Sequence, residues 1–157
     1  MGTKLLLIAM AGLVSFGSFA QDATSIRKKH FNLSKSGLAI DGHDPVSYFK
    51  ANKAIKGKRE FAVDHQGVIY YFTSAENKEA FIKNPAAYEP QYGGWCAYAM
   101  GKEGDKVNID PETFKIINGK LFLFYNKFFN NTLNSWNKDE TNLKTKADVN
   151  WQKTYHL

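Results

Sequence analysis

An α+β fold, with two β-hairpins packed against helices and a helical C-terminal extension, is what this sequence predicts. Three observations carry it. Val68 to Phe72 is a β-branched and aromatic run that follows an alternating stretch, residues 60–65, across the turn pair Gln66-Gly67. Residues 114–117 and 121–125 flank Asn118-Gly119, a pair that suits the type I′ turn of a tight hairpin. Leu143, Ala147 and Trp151 recur at i, i+4 and i+8, the spacing of one helical face.

Taken in order, residues 21–33 are polar and basic and read as a flexible arm. Residues 34–40 suit a short strand with Leu38 and Ile40 on one face. Asp44 followed by Pro45 is a helix-start signal, an N-cap side chain ahead of a proline at the first helical position. Val46, Tyr48 and Phe49 give that short helix its apolar side. The basic stretch 53–59 reads as a loop, and Phe61 and Val63 then share one face of the first hairpin. Thr73-x-x-Glu76 has the form of a capping box and opens a helix over 75–83 that buries Ala80 and Phe81. Pro85 redirects the chain, and Tyr88, Pro90 and Tyr92 lead into Gly93-Gly94. Residues 95–100 are apolar and bounded by glycines, too short for periodicity to separate strand from helix. Residues 127–136 read as a helix with the stripe Phe128, Phe129, Leu133 and Trp136, and residues 142–155 as another. There is no internal repeat and no low-complexity linker.

The N-terminus has the form of an export signal. Lys4 precedes an apolar stretch, residues 5–19, and Ser18-Phe19-Ala20 supplies small residues at the cleavage positions, placing the cut between Ala20 and Gln21. A membrane anchor needs about 20 apolar residues. This stretch is shorter and is diluted by Gly12, Ser15, Gly17 and Ser18. No cysteine follows the junction, which excludes a lipoprotein. The expectation is a periplasmic or secreted protein that does not span the membrane, organised as a signal peptide (1–20), the arm (21–33) and one domain (34–157). Its length suits a single core, and 43% hydrophobic with 15% aromatic residues is a globular composition. The formal charge of +6 comes from lysines scattered along the chain, among them Lys28, Lys53, Lys58, Lys102, Lys120 and Lys153. Export and the scatter argue against a nucleic-acid partner, and a solvated basic surface that meets anionic envelope components weakly is the simpler reading.

Tyr70-Tyr71-Phe72-Thr73-Ser74, followed at fixed spacing by Phe81, Pro85 and Tyr88, resembles the YHS domain. Asp44-Pro45-Val46 adds a second match upstream, so the resemblance covers residues 42–92. Metal-handling members of that family carry Tyr-Tyr-Phe-Cys-Ser-x-x-Cys-x-x-x-Phe-x-x-x-Pro-x-x-Tyr, often after Asp-Pro-Val-Cys. Here Ser47, Thr73 and Asn77 hold the three cysteine places. Residues 90–97 and 117–121 resemble an exported bacterial subfamily that includes selenoproteins. The resemblance implies a YHS-like unit extended by C-terminal helices. The metal role it implies is discounted, because hydroxyls and an amide are weak neutral ligands in place of thiolates.

Cys96 is the single cysteine. It has no partner for an intramolecular disulfide, so it is a buried thiol, a reactive thiol or an intermolecular partner. Trp95-Cys96 lacks a resolving cysteine, which excludes thioredoxin-type exchange. If Gly93-Gly94 opens a helix, Cys96 lies in its first turn, where the helix dipole favours a thiolate. A helical 96–100 would also put Cys96 and Met100 on one face. With His43 or His65 adding an imidazole, such a set suits a transition metal such as copper. No hydrolase signature and no phosphate-binding glycine loop is present. Tyr92, Trp95 and Tyr98 beside Cys96, within a wider set of aromatics, either line a ligand pocket or fill the core.

The expectation is therefore a non-enzymatic binding module that takes a small ligand or an envelope protein around Cys96, Trp95, Tyr92 and Tyr98. The first alternative is a metal-binding protein using Cys96, Met100 and His43 or His65. The second is a thiol-dependent redox protein.

Overall fold

The strand β4 (Lys120–Phe124) divides the interior in two. Its side chains alternate across the strand. Leu121 and Leu123 enter one apolar cluster with Val46, Tyr48, Val68, Tyr70, Phe72 and Phe81, while Phe122 and Phe124 enter a second with Met100, Trp136, Leu143 and Ala147. A strand covered on both faces has no outward polar positions, which is why residues 121–124 read as an unbroken apolar run. The two aromatic residues of this strand, Phe122 and Phe124, both lie buried in the second cluster and offer no open aromatic face. The computed structural model describes residues 17–155, with side chains from residue 23 onward.

The fold is α+β, with small two-stranded antiparallel sheets packed on helices. β1 (Lys58–His65) pairs with β2 (Val68–Phe72) across Gln66-Gly67, with an irregularity in register between Lys58 and Val63. β3 (Asp110–Ile117) pairs with β4 across Asn118 and Gly119, both at positive φ as a tight primed turn requires. A third, minimal hairpin follows, β5 (Asn126–Lys127) with β6 (Asn130–Asn131). The helices are α1 (Gly17–His30), α2 (Ser47–Lys50), α3 (Ala75–Lys83), α4 (Pro85–Tyr88), α5 (Ala97–Lys102), α6 (Thr132–Trp136) and α7 (Glu140–Tyr155). α5 and α7 pack at very close range, because Gly101 lies against the backbone of Leu143 where any Cβ would overlap its carbonyl. Among the described residues no helix is long and apolar enough to cross a membrane.

Several sequence expectations meet a different local structure. The stretch read as a flexible arm is helical through His30, and α1 runs across the predicted cleavage junction; residues 1–16 of the predicted signal peptide lie outside the described residues. What orders the stretch is tertiary. Arg27 is buried, paired with Glu89 and laid over the Phe31 ring at 4.4 Å. Residues 34–40 contribute only isolated bridges, Leu33 with Ala39 and Leu38 with Ile69, in place of a strand, since Gly37, Ile40 and Asp41 all adopt positive φ. Residues 95–100 resolve into an extended Trp95-Cys96 followed by α5. The helix predicted over 127–136 begins only at Thr132, capped by the Asn131 side chain accepting from the Leu133 N–H at 3.0 Å. Phe128 and Phe129 form no stripe with Leu133 and Trp136. They stand in the turn of the third hairpin.

Candidate functional site

The cavity that brings together Cys96 and Tyr98, two of the residues predicted from sequence, lies beside α5. It is about 330 Å³ and is bounded by Cys96, Tyr98 and Ala99 on one side, Val107 on a second, and Tyr125 and Thr132 on a third. Lys102, Glu103 and Asp105 also line it. Its walls are built from three segments: the start of α5, the loop from α5 to β3, and the chain around the third hairpin. The Cys96 N–H donates to the Val107 carbonyl at 2.9 Å and ties the first two together.

Cys96 is buried and forms part of the cavity wall. Its sulfur accepts from the Tyr125 N–H at 3.3 Å and lies 3.4 Å from Thr132 Oγ1. The Thr132 hydroxyl donates to the Tyr125 carbonyl at 2.8 Å, so its single proton is committed there. The thiol proton therefore points to Thr132 Oγ1, which closes a ring from sulfur to hydroxyl to carbonyl and back through the Tyr125 N–H. Such a ring uses the protonated thiol as a structural donor and acceptor. The sulfur is thereby engaged by both the Tyr125 N–H and the Thr132 hydroxyl oxygen.

Of the residues predicted to bind a ligand, Cys96 and Tyr98 meet at this cavity and Trp95 and Tyr92 do not line it. Trp95 Nε1 donates to the His30 carbonyl at 2.7 Å, fastening α1 to the chain before α5. Tyr92 is buried, with its hydroxyl donating to Asp148 Oδ1 at 2.9 Å. Burial first, and then that hydrogen bond, push its pKa well up, so it stays a donor. The predicted metal set is dispersed. Cys96 is the residue before α5 with non-helical ψ, which turns its side chain into the first cluster while Met100 packs in the second. His43 Nδ1 lies 3.0 Å from the Ile40 carbonyl, and His65 stands edge-on to Phe81 at 5.8 Å between centroids. Among the described residues no group of three or more His, Cys, Asp or Glu side chains is placed to hold a metal ion.

Ser47, Thr73 and Asn77, the places where the motif resemblance would put cysteines, surround Asp44, which is fully buried. Its Oδ2 accepts from the Thr73 N–H at 2.8 Å, the Thr73 hydroxyl at 2.7 Å and Asn77 Nδ2 at 2.7 Å. Its Oδ1 accepts from the N–H groups of Val46 at 2.8 Å and Ser47 at 3.3 Å, but α2 starts two residues later than Asp44-Pro45 predicts, with Val46 as its N-cap residue. The Ser47 hydroxyl is turned aside, its one proton shared between the carbonyls of Asp44 at 2.7 Å and Lys53 at 2.9 Å. Thr73 is not the cap of α3. Ser74 is, accepting from the Asn77 N–H at 3.3 Å, and the one-residue shift frees Thr73 for Asp44. Every polar group at these positions is thus occupied within the fold.

A second buried network joins α1 to the β1–β2 side. Arg27 pairs with Glu89, which also accepts from the Tyr70 hydroxyl at 2.7 Å. Burial opposes the Arg27 charge, but the hydrogen bond and attraction from Glu89 outweigh it and raise its pKa. Burial, reinforced by Glu89, holds the Tyr70 hydroxyl protonated.

Sequence reasoning missed Tyr125, Thr132 and Val107 as cavity residues. They lie 11 to 36 positions beyond Cys96 and carry no motif, so only the fold brings them to it. Compared with known proteins, the chain matches no family model, no curated protein and no solved structure.

Proposed function

We propose that this chain is an exported, YHS-like binding module without catalytic chemistry of its own, and that its site is the cavity beside α5. The observation that carries this reading is the division of labour there. Two tyrosines, Tyr98 and Tyr125, with Val107 and Ala99 form a wall suited to a flat apolar or aromatic ligand, while the thiol beside them is spent on internal hydrogen bonds. Lys102, Glu103 and Asp105 supply polar contacts for such a ligand's edge. Export is supported by the N-terminal sequence pattern, and the YHS-like reading by the Tyr70 to Tyr88 motif together with the clustering of Thr73 and Asn77 at Asp44.

The test is a titration of the ¹⁵N-labelled protein with small aromatic fragments, followed by amide chemical shifts, beside Ala99→Phe, which fills the cavity from its α5 wall. Shifts concentrated at Tyr98, Val107, Tyr125 and Thr132, and lost in the variant, are expected. Fragments that bind equally well to A99F, or that shift only distant amides, would remove the cavity from consideration.

A further inference from the structure

The third hairpin ends in two phenylalanines that the fold does not use. Phe128 and Phe129 are 89% and 111% exposed, and both are at positive φ, 51° and 64°. Asn126 pairs with Asn131 and Lys127 with Asn130, so the two rings occupy the central positions of a two-residue turn. Asparagine and glycine suit such positions; a bulky L-residue there is strained. Neither ring touches the core, so neither offsets that strain by burial.

The exposure is not a consequence of a loose loop. The Thr132 N–H donates to the Tyr125 carbonyl at 3.0 Å across the base of the hairpin, and Asn126 Nδ2 donates to Thr113 Oγ1 at 3.0 Å, holding it to β3. Asn131 is held by capping α6. The rings stand on a fixed pedestal.

We propose that Phe128 and Phe129 form a membrane-insertion tip that holds the protein against an anionic lipid surface. The shape favours lipid over a protein partner. A stable protein interface covers on the order of 800 Å² on each side. Here the apolar surface is confined to two rings at a convex apex whose hairpin neighbours are Asn126, Lys127, Asn130 and Asn131. An apex of that kind enters a deformable acyl boundary without needing a preformed pocket, as the apolar side chains of interfacial segments do. Charge gives the second argument. The chain carries a net +6, and exposed Lys127 stands next to the rings, which favours phosphate-bearing headgroups.

The decisive variant is F128N/F129G, which installs the pair this turn prefers and so keeps or raises thermal stability. Vesicles containing phosphatidylglycerol, with pure phosphatidylcholine vesicles as control, are sedimented with the full chain and with the variant. The N-terminal segment is the same in both proteins and contributes equally. Wild-type binding to phosphatidylglycerol vesicles, weakened by salt and at least roughly tenfold lower in the double variant, is expected from the loss of two buried rings. F128W adds an indole whose emission shifts to the blue on these vesicles and is quenched by brominated lipid. Equal binding by wild type and F128N/F129G, or no binding by either, overturns the proposal. So does self-association of the wild type without lipid that the double variant abolishes, since the rings would then meet protein.

Discussion

Asp44→Asn removes one carboxylate oxygen from the centre of a buried hydrogen-bond network and changes almost no volume. In the native protein one oxygen receives Val46 N–H and Ser47 N–H, and the other receives Thr73 N–H, the Thr73 hydroxyl and Asn77 Nδ2. An asparagine keeps one oxygen and turns an amide donor toward the remaining partners. Whichever way it settles, at least two donors face another donor: Val46 and Ser47 in one orientation, Thr73 N–H and Asn77 in the other. Asp44 is fully buried, so water does not compensate. At about 1–3 kcal/mol for each donor left unsatisfied, the loss is about 2–6 kcal/mol. That is a large share of a typical total stability of about 5–15 kcal/mol. Urea unfolding followed by circular dichroism should show the midpoint falling with little change in slope. Asn77→Ala removes one of the same donors, so D44N/N77A should cost less than the sum of the single changes. A D44N loss below about 1 kcal/mol, or strict additivity with N77A, would refute the hub.

Other consequences can be measured on the same protein. Gly101→Ala forces α7 away from α5 at the Leu143 carbonyl and should cost about 1–3 kcal/mol, read from urea unfolding. Arg27→Ala leaves the partly buried Glu89 without its cation and should cost about 1–3 kcal/mol, with amide exchange over residues 23–30 rising most. Burial first, and then Lys106 and Lys29, lower the pKa of His30 in the fold, whereas the unfolded chain takes up its proton near the ordinary value of about 6.5. The unfolded state thus binds more protons on the acid side. The contribution is complete above about pH 6.5 and is lost as pH falls through the lower folded value. His30→Gln should flatten that part of the profile of melting temperature against pH.

Much of the fold was legible because local chemistry and tertiary packing agree at several places. The Asn118-Gly119 hairpin, the span of α3 and the Leu143, Ala147, Trp151 face follow directly from turn preference and helical spacing. The failures are places where context overrides a local pattern. Phe128, Phe129, Leu133 and Trp136 have helical spacing, yet the hairpin takes the first two out of the helix. Residues 23–30 have no pronounced apolar stripe, because the α1 contacts are a buried ion pair and lysine stems such as Lys28 against Gly67. For the site, Cys96 and Tyr98 were readable as neighbours in sequence. The expected pairing of Cys96 with Met100 assumed a helix that starts one residue too early, and that single residue sends the two sulfurs into different clusters. Thr132 and Tyr125, which decide the state of the thiol, are brought to it only by the fold.

The reactivity of Cys96 tests most directly whether the chain is a binding module or a thiol protein. The measurement is the rate of iodoacetamide alkylation in the native protein, followed by intact mass, against the urea-unfolded chain. A thiol buried and held between Thr132 and Tyr125 reacts only when the structure opens. The native rate should then be suppressed about a thousandfold or more and should rise with urea in step with unfolding. A native rate close to that of the unfolded chain would contradict the closed hydrogen-bond ring and return Cys96 to the reactive thiols.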